Sequence, residues 1–280
     1  TNDLGEDYGV VSCYNSLRIG GGAHTLTRLN LKALAEESKD YEDFMNVQLP
    51  KAVKSLSELT NARIKYLVED VKFFESSFLA KEGLIDLNKF TSMPAIYGTF
   101  ECVEIFTGKQ MGHDERANDV AEEICKRFAE LVRNEDALYC GGTKGKHGVH
   151  AQGGLESDTD TTPAIRIKYG CEPDIFDHIN LSGKLHKYFD TGCSDIYLFD
   201  ETAKNNIDGM LRVVKGALEN GIRVLSINSD SSEFVRITGY LVKKTDINKF
   251  NEGKNLREDS VVLGALSMKN GIEERKVRTV

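Results

Sequence analysis

Residues 195–228, DIYLFDETAKNNIDGMLRVVKGALENGIRVLSIN, and the run 233–244 that follows, EFVRITGYLVKK, decide the fold. DIYLFD (195–200) and IRVLSIN (222–228) are short β-type runs, whereas KNNIDGMLRVVKGALENG (204–221) between them has a helical period and a terminal glycine. Strand, helix and strand in that order predict a β-α-β unit with parallel strands, and with it an α/β fold. EFVRITGYLVKK is a second β-type run, interrupted by Gly239. A glycine there costs strand stability, so it marks a bulge or a close approach of backbone.

Upstream, helical patterns dominate. The Gly20-Gly21-Gly22 turn precedes LTRLNLKALAEE (26–37), whose apolar residues fall three and four apart, which reads as loop and then helix. Residues 48–80 repeat that period with charges opposite, as one long helix or two short ones. SMPAIYGTFECVEIFTG (92–108) reads as a short strand leading to a helix, and 115–133 as an amphipathic helix. CGGTKGKHGVHAQGGLESDTDTTP (140–163) breaks the pattern and is read as a long functional loop. Neither a repeat nor a linker interrupts the sequence, so one α/β domain over residues 1–280 is expected.

The chain has 280 residues, 40% of them hydrophobic, enough for a sizeable core, and its net charge of −8 disfavours nucleic acid or an anionic membrane as partner. No apolar run approaches the roughly 20 residues of a membrane helix. A cytoplasmic location is expected. The opening TNDLGEDYGVVSCYNSLRIGGG reads as mid-domain sequence, so an absent N-terminal half is expected as well. Cys13, Cys102, Cys125, Cys140, Cys171 and Cys193 show no C-x-x-C spacing and read as reduced thiols, most of them packing.

Arg236, Ile237, Thr238, Gly239 and Tyr240 resemble the R-V-x-G-Y/F/W signature of glycyl radical enzymes. SCYNSLRIGGGAHTLTRLNL (12–31), together with VRITGYLV (235–242) and the tail after it, is similar to the YjjI-type members of that family along the whole chain. The resemblance implies the C-terminal part of a ten-stranded α/β barrel with helices outside and central Cys and Gly loops, residues 222–280 forming the glycyl radical segment. Gly239 would then store a radical, with Arg236, Thr238 and Tyr240 as motif support. Glycine suits the role because no side chain opposes a planar, delocalised α-carbon radical. An activase using S-adenosylmethionine and an iron–sulfur cluster would install it, no cofactor being otherwise bound.

The motif calls for a partner thiol, and Cys13, before the triple glycine, fits a loop tip upstream of the glycine. Cys102, in ECVEIF with Glu104 two residues on, resembles the diol-dehydratase motif and ranks second. Departures from the better-known branches narrow the chemistry. Cys13 is followed by Tyr14 rather than a second cysteine, as pyruvate formate-lyase would need, and Asn15 replaces the glutamate of diol dehydratases and cannot act as a carboxylate base. Cys171 and Cys193 do not make the four-cysteine zinc site of anaerobic ribonucleotide reductase.

Asn15, His24, His147 and His150 are candidates for a substrate-facing loop. His147 and His150, with Cys140 near, have a ligand-like spacing, but a Gly-rich loop preorganises ligands poorly and no metal is expected. Gly20-Gly21-Gly22 lacks a phosphate-loop pattern and reads as a hairpin turn. The expected partners are the activase, a small-molecule substrate, the absent N-terminal half and a second copy in a homodimer. Two competing readings are a fragment without activity of its own and an α/β binding domain in which Gly239 is a strand bulge.

Overall fold

The computed structural model describes residues 5, 7–11, 14–151, 161–236 and 241–252. The chain divides into two compact units, Thr1–Asp195 with Val213–Leu225, and Ile196–Arg212 with Ser226–Val280.

In the first unit, β1 (Tyr8–Val11) and β2 (Asn15–Arg18) form an antiparallel hairpin. β3 (Gly22–Asn30) follows, and Asn30 caps α1 (Leu31–Glu37) by accepting the Ala33 amide. The expected helix over 26–30 is therefore strand. LTRLN has its leucines three apart, a helical spacing, and pairing overrides it: residues from Leu26 to Asn30 run parallel to those from Met93 to Tyr97. A nearly continuous helical stretch comes next. It comprises α2 (Tyr41–Asp43), a π turn at Phe44–Gln48, α3 (Leu49–Lys65), a second π turn at Tyr66–Asp70, and the short α4 (Phe73–Ser76) and α5 (Phe78–Lys81).

Next, β4 (Phe90–Tyr97) is buried at every position, as a strand covered on both faces must be, and pairs in parallel with β3 and with the short β5 (His150–Ala151). Gly98 turns the chain into α6 (Thr99–Thr107), and Asp114 caps α7 (Glu115–Asn134). Leu31, Phe44, Ile96, Phe100, Val120, Ile124 and Phe128 are core residues drawn from this sheet, the first π turn and the helices α1, α6 and α7. Asp174 caps α8 (Ile175–His186).

The second stretch contains the elements read from sequence: β6 (Asp195–Phe199), α9 (Ile207–Glu219) and β7 (Leu225–Ser229), with β6 and β7 hydrogen-bonded neighbours. The run around Gly239 differs from one continuous strand. β8 (Phe234–Arg236) and β9 (Leu241–Lys243) pair antiparallel, with Arg236 opposite Leu241, and α10 (Lys244–Asn251) follows. Among the described residues, no helix is long and apolar enough to cross a membrane.

Candidate functional site

Val11 pairs with Asn15, so residues 12–14 join β1 to β2, and Cys13 falls in that connection. Ser12 and Cys13 lie outside the described residues, as do Thr238, Gly239 and Tyr240. Tyr14 is described and has φ 69°.

From Tyr14 onward the segment is tied to a buried edge. The Ser16 amide donates to the Thr191 carbonyl at 2.8 Å. Thr191 donates its amide to the Val149 carbonyl, the Ala151 amide donates to the Gly192 carbonyl, and the Val149 amide donates to Asp190 Oδ1. Residues 190–192 thus extend the β3–β4–β5 sheet and carry β2 beside them. Gly192 is required here. A Cβ at this position would collide with the Tyr14 carbonyl oxygen and come within 3.1 Å of both Asn15 Cα and His150 Cε1, and φ is +130°. The approach brings Tyr14, Asn15 and His150 around one glycine, with His150 only 1% exposed and Asn15 Oδ1 buried without a partner among the described residues.

Arg166 reaches the same place from another direction. Residues 161–167 are fastened at the C-terminal end of β4: Gly98 N–H donates to the Thr162 carbonyl, Thr99 Oγ1 to the Ala164 carbonyl, and Thr162 donates its amide and hydroxyl to Glu101. Ala164 is fully buried with φ 56°, a conformation that costs a residue with a β-carbon about 1 kcal/mol or more. Arg166, 6% exposed, donates from Nε to the Ser194 carbonyl at 3.1 Å and from Nη2 to Ser194 Oγ at 2.7 Å. Its Cζ lies 5.7 Å from the centre of the Tyr14 ring.

Beyond Ser194, a buried polar cluster faces α8. Asp195 Oδ2 accepts from Ser182 Oγ at 2.7 Å and lies 3.1 Å from His178 Nε2. Burial opposes charge on both partners, yet their attraction outweighs it: the His178 pKa is raised and that of Asp195 is held down at about 2. His186 is pushed down to about 4 by burial, and its Nδ1 accepts the Arg223 amide.

The remaining sequence candidates separate. His147 is buried between two hydroxyls, Ser57 Oγ at 2.8 Å from Nε2 and Ser92 Oγ at 2.6 Å from Nδ1, and burial lowers its pKa to about 4. His24 Nε2 pairs with the Tyr139 carbonyl, and its ring packs on Phe74 and Phe90. Cys102 is fully buried on α6, and burial pushes its thiol pKa up. Hence Asn15 and His150 come together, while His147 sits elsewhere in a buried network and His24 at a half-buried position. Among the described residues, no cluster of three or more His, Cys, Asp or Glu is arranged to hold a metal. Sequence reading missed Gly192, Ser194 and Arg166. A small-residue run, T-G-C-S, and one charge inside A-I-R-I were the only signals.

Solved structures place this architecture in a class, the glycyl radical enzyme fold. An anaerobic ribonucleotide reductase superposes with a TM-score of 0.61 at 15% identity, covering 85% of this chain and 44% of that one. The glycerol-bound B12-independent glycerol dehydratase of Clostridium butyricum superposes at 0.62 and 13% identity, covering 87% and 44%. Residues 1–278 match the family described as glycyl radical enzyme, YjjI-like, and the chain belongs to that family. It is 38% identical over 279 residues to the uncharacterized protein YjjI of Escherichia coli (strain K12), covering 98% of this chain and 54% of that protein. An uncharacterized protein of Haemophilus influenzae is 35% identical over 272 residues, covering 94% and 53%. The chain spans about half the length of the curated relatives it matches.

Proposed function

We propose that the chain carries the radical-bearing part of an oxygen-sensitive glycyl radical enzyme, in which Gly239 stores the unpaired electron and Cys13 delivers it to a small-molecule substrate. The observation that supports this most is the seating of residues 14–16, the chain immediately after Cys13, against Gly192, His150 and Thr191 in a water-poor interior. In the working step the Gly239 radical takes the hydrogen atom of the Cys13 thiol. A Cα–H bond forms, the S–H bond breaks homolytically, and one unpaired electron remains on sulfur. The thiyl then takes a hydrogen atom from a substrate C–H bond, restoring the thiol and leaving a substrate radical, and the return of hydrogen from the thiol to the product radical closes the cycle. Exclusion of water and oxygen protects each radical.

An S-adenosylmethionine-dependent iron–sulfur activase would install the radical on Gly239, no other cofactor being needed. The rest of the protein would complete a ten-stranded barrel, and exposed Val10, Val11, Leu59, Tyr66, Phe73 and Phe78 support cover by further chain. A homodimer and a cytoplasmic location complete the proposal. Asn15 offers no carboxylate base beside the thiol, which disfavours diol dehydration. The reading of Gly239 as a bulge within one strand loses support from the antiparallel pairing of 234–236 with 241–243, the residues on either side of it in the sequence.

Anaerobic activation of the full-length protein tests the proposal. Electron paramagnetic resonance should detect a carbon radical, and air should then cut the chain into a fragment ending near Thr238 and a remainder. Protein that stays full length by mass spectrometry, although the activase charges a control enzyme, sinks it. Turnover with and without the other half separates an active enzyme from an inert fragment.

A further inference from the structure

We propose that Arg166 is a positioning residue for the radical-carrying thiol, acting through Tyr14; the inference rests on the reading of Cys13 given above. A buried guanidinium is costly unless its donors are engaged. Here Nε and Nη2 both go to Ser194, which fixes the plane of the group, and Cζ sits 5.7 Å from the centre of the Tyr14 ring, inside the range of a cation–π contact.

Tyr14 needs such a hold. Its φ of 69° is unfavourable for a residue with a β-carbon, so the surroundings must supply what keeps it there. Two contacts do so from different directions. Gly192 comes up against the Tyr14 carbonyl on one side, and Arg166 takes the ring. The cation is itself placed by strained backbone: Ala164, two residues earlier, holds φ 56° with its carbonyl fixed by Thr99 Oγ1.

Tyr14 follows Cys13 directly in the sequence, and consecutive α-carbons are about 3.8 Å apart, so a held Tyr14 would limit the positions open to the thiol. Hydrogen-atom transfer needs the donor and acceptor atoms near contact, and a misplacement on the order of 1 Å costs about two orders of magnitude in rate. Lysine would not replace Arg166, since it lacks the planar fork that bonds Ser194 while stacking on a ring.

The test uses activated full-length protein transferred anaerobically to D2O, without substrate. The Cys13 thiol hydrogen exchanges with solvent, so each reversible transfer returns deuterium to Gly239 and collapses the α-hydrogen splitting of the radical signal. Arg166→Met should slow the collapse at least tenfold while the radical yield stays that of the wild type. Tyr14→Leu should behave the same way with the Arg166–Ser194 bonds intact, and Tyr14→Phe, which keeps the ring, should exchange at the wild-type rate. The two Tyr14 variants carry the test if Arg166→Met does not fold. Wild-type exchange rates in Arg166→Met or Tyr14→Leu overturn the assignment to Arg166. A wild-type radical that never exchanges overturns the pairing of Cys13 with Gly239 itself, and the inference with it.

Discussion

Two hairpins bracket the two residues on which the chemistry is proposed to turn, and they are held in different ways. β1 and β2 share four register pairs around Cys13, and β2 is stitched further by Ser16 to Thr191, by the close approach of Gly192 and by the Arg166–Tyr14 contact. β8 and β9 share three pairs around Gly239, followed by a short helix whose first amide bonds back to Glu233. A two-stranded hairpin is marginal by itself. The thiol side thus has many buried constraints. Around the glycine, local pairing supplies most of what the described residues provide. The contrast suits a division of labour in which the thiol must be aimed at a substrate and the glycine must be reached by a separate activating enzyme.

The most drastic way to break this comparison is to remove each residue in turn. Gly239→Ala should abolish both the paramagnetic signal and air-dependent cleavage, because a methyl group opposes the planar radical. Cys13→Ser should keep both and lose turnover entirely. Loss of the signal in Cys13→Ser after normal activation would mean that the two hairpins do not have separate roles.

A smaller effect probes the clamp on the first hairpin. Gly192→Ala sets a methyl group against the Tyr14 carbonyl in a conformation where φ is +130°. Backbone strain and overpacking together should cost about 2–4 kcal/mol, a fall in Tm of several degrees. Gly216→Ala, on α9 with nothing within 4 Å of its added carbon, is the control and should be neutral or stabilising. Equal losses in both variants would show that Gly192 is not a tight contact.

The buried histidines add a pH dependence of intermediate size. Unfolded His147 and His186 bind a proton near pH 6.5, whereas in the folded chain burial delays protonation to about 4. The unfolded state therefore holds more protons between those values, and stability that is complete above pH 6.5 falls as pH drops toward 4, by about 3 kcal/mol per group. His178 works the other way: its pKa is raised, so its contribution is present at low pH and is lost as pH rises through the folded value. Urea denaturation at pH 7, 5.5 and 4.5 should show the fall, and His147→Gln should flatten it. An unchanged slope in that variant would remove His147 from the account.

How much of this was legible in the sequence follows from the range of the interactions. The strand, helix and strand from Asp195 to Ser229 read correctly because each period is local. Gly239 stood out through its immediate neighbours. Residues 26–30 misled because Leu26 and Leu29 fall at a helical spacing, and a partner some 67 positions away, Leu26 opposite Met93, makes them a strand instead. Arg166 was invisible for the same reason. A single charge among Ala164, Ile165 and Ile167 reads as an apolar segment, and its meaning comes from Tyr14 and Ser194, far away along the chain. His147 read as substrate-facing because a Gly-rich stretch surrounds it, whereas Ser57 and Ser92 take both ring nitrogens.

The finest distinction between the two hairpins lies in how easily each opens. Amide exchange reports local opening free energy, which tracks the number of buried contacts that must break. Opening β2 at Ser16 requires breaking its bond to Thr191 and parting residues 14–16 from Gly192, in the interior where His150 is 1% exposed. Opening β8 from β9 breaks three register pairs, with Val235 as a buried side chain among them. A difference of about 1.4 kcal/mol corresponds to tenfold in protection, and the amides of 234–236 and 241–243 should exchange about tenfold faster than that of Ser16. The full-length protein is the right sample, read by mass spectrometry after peptic digestion. Protection at 241–243 equal to that at Ser16 would mean that the glycine-bearing hairpin is held as firmly as the thiol-bearing one, and the proposed division of labour would lose its structural basis.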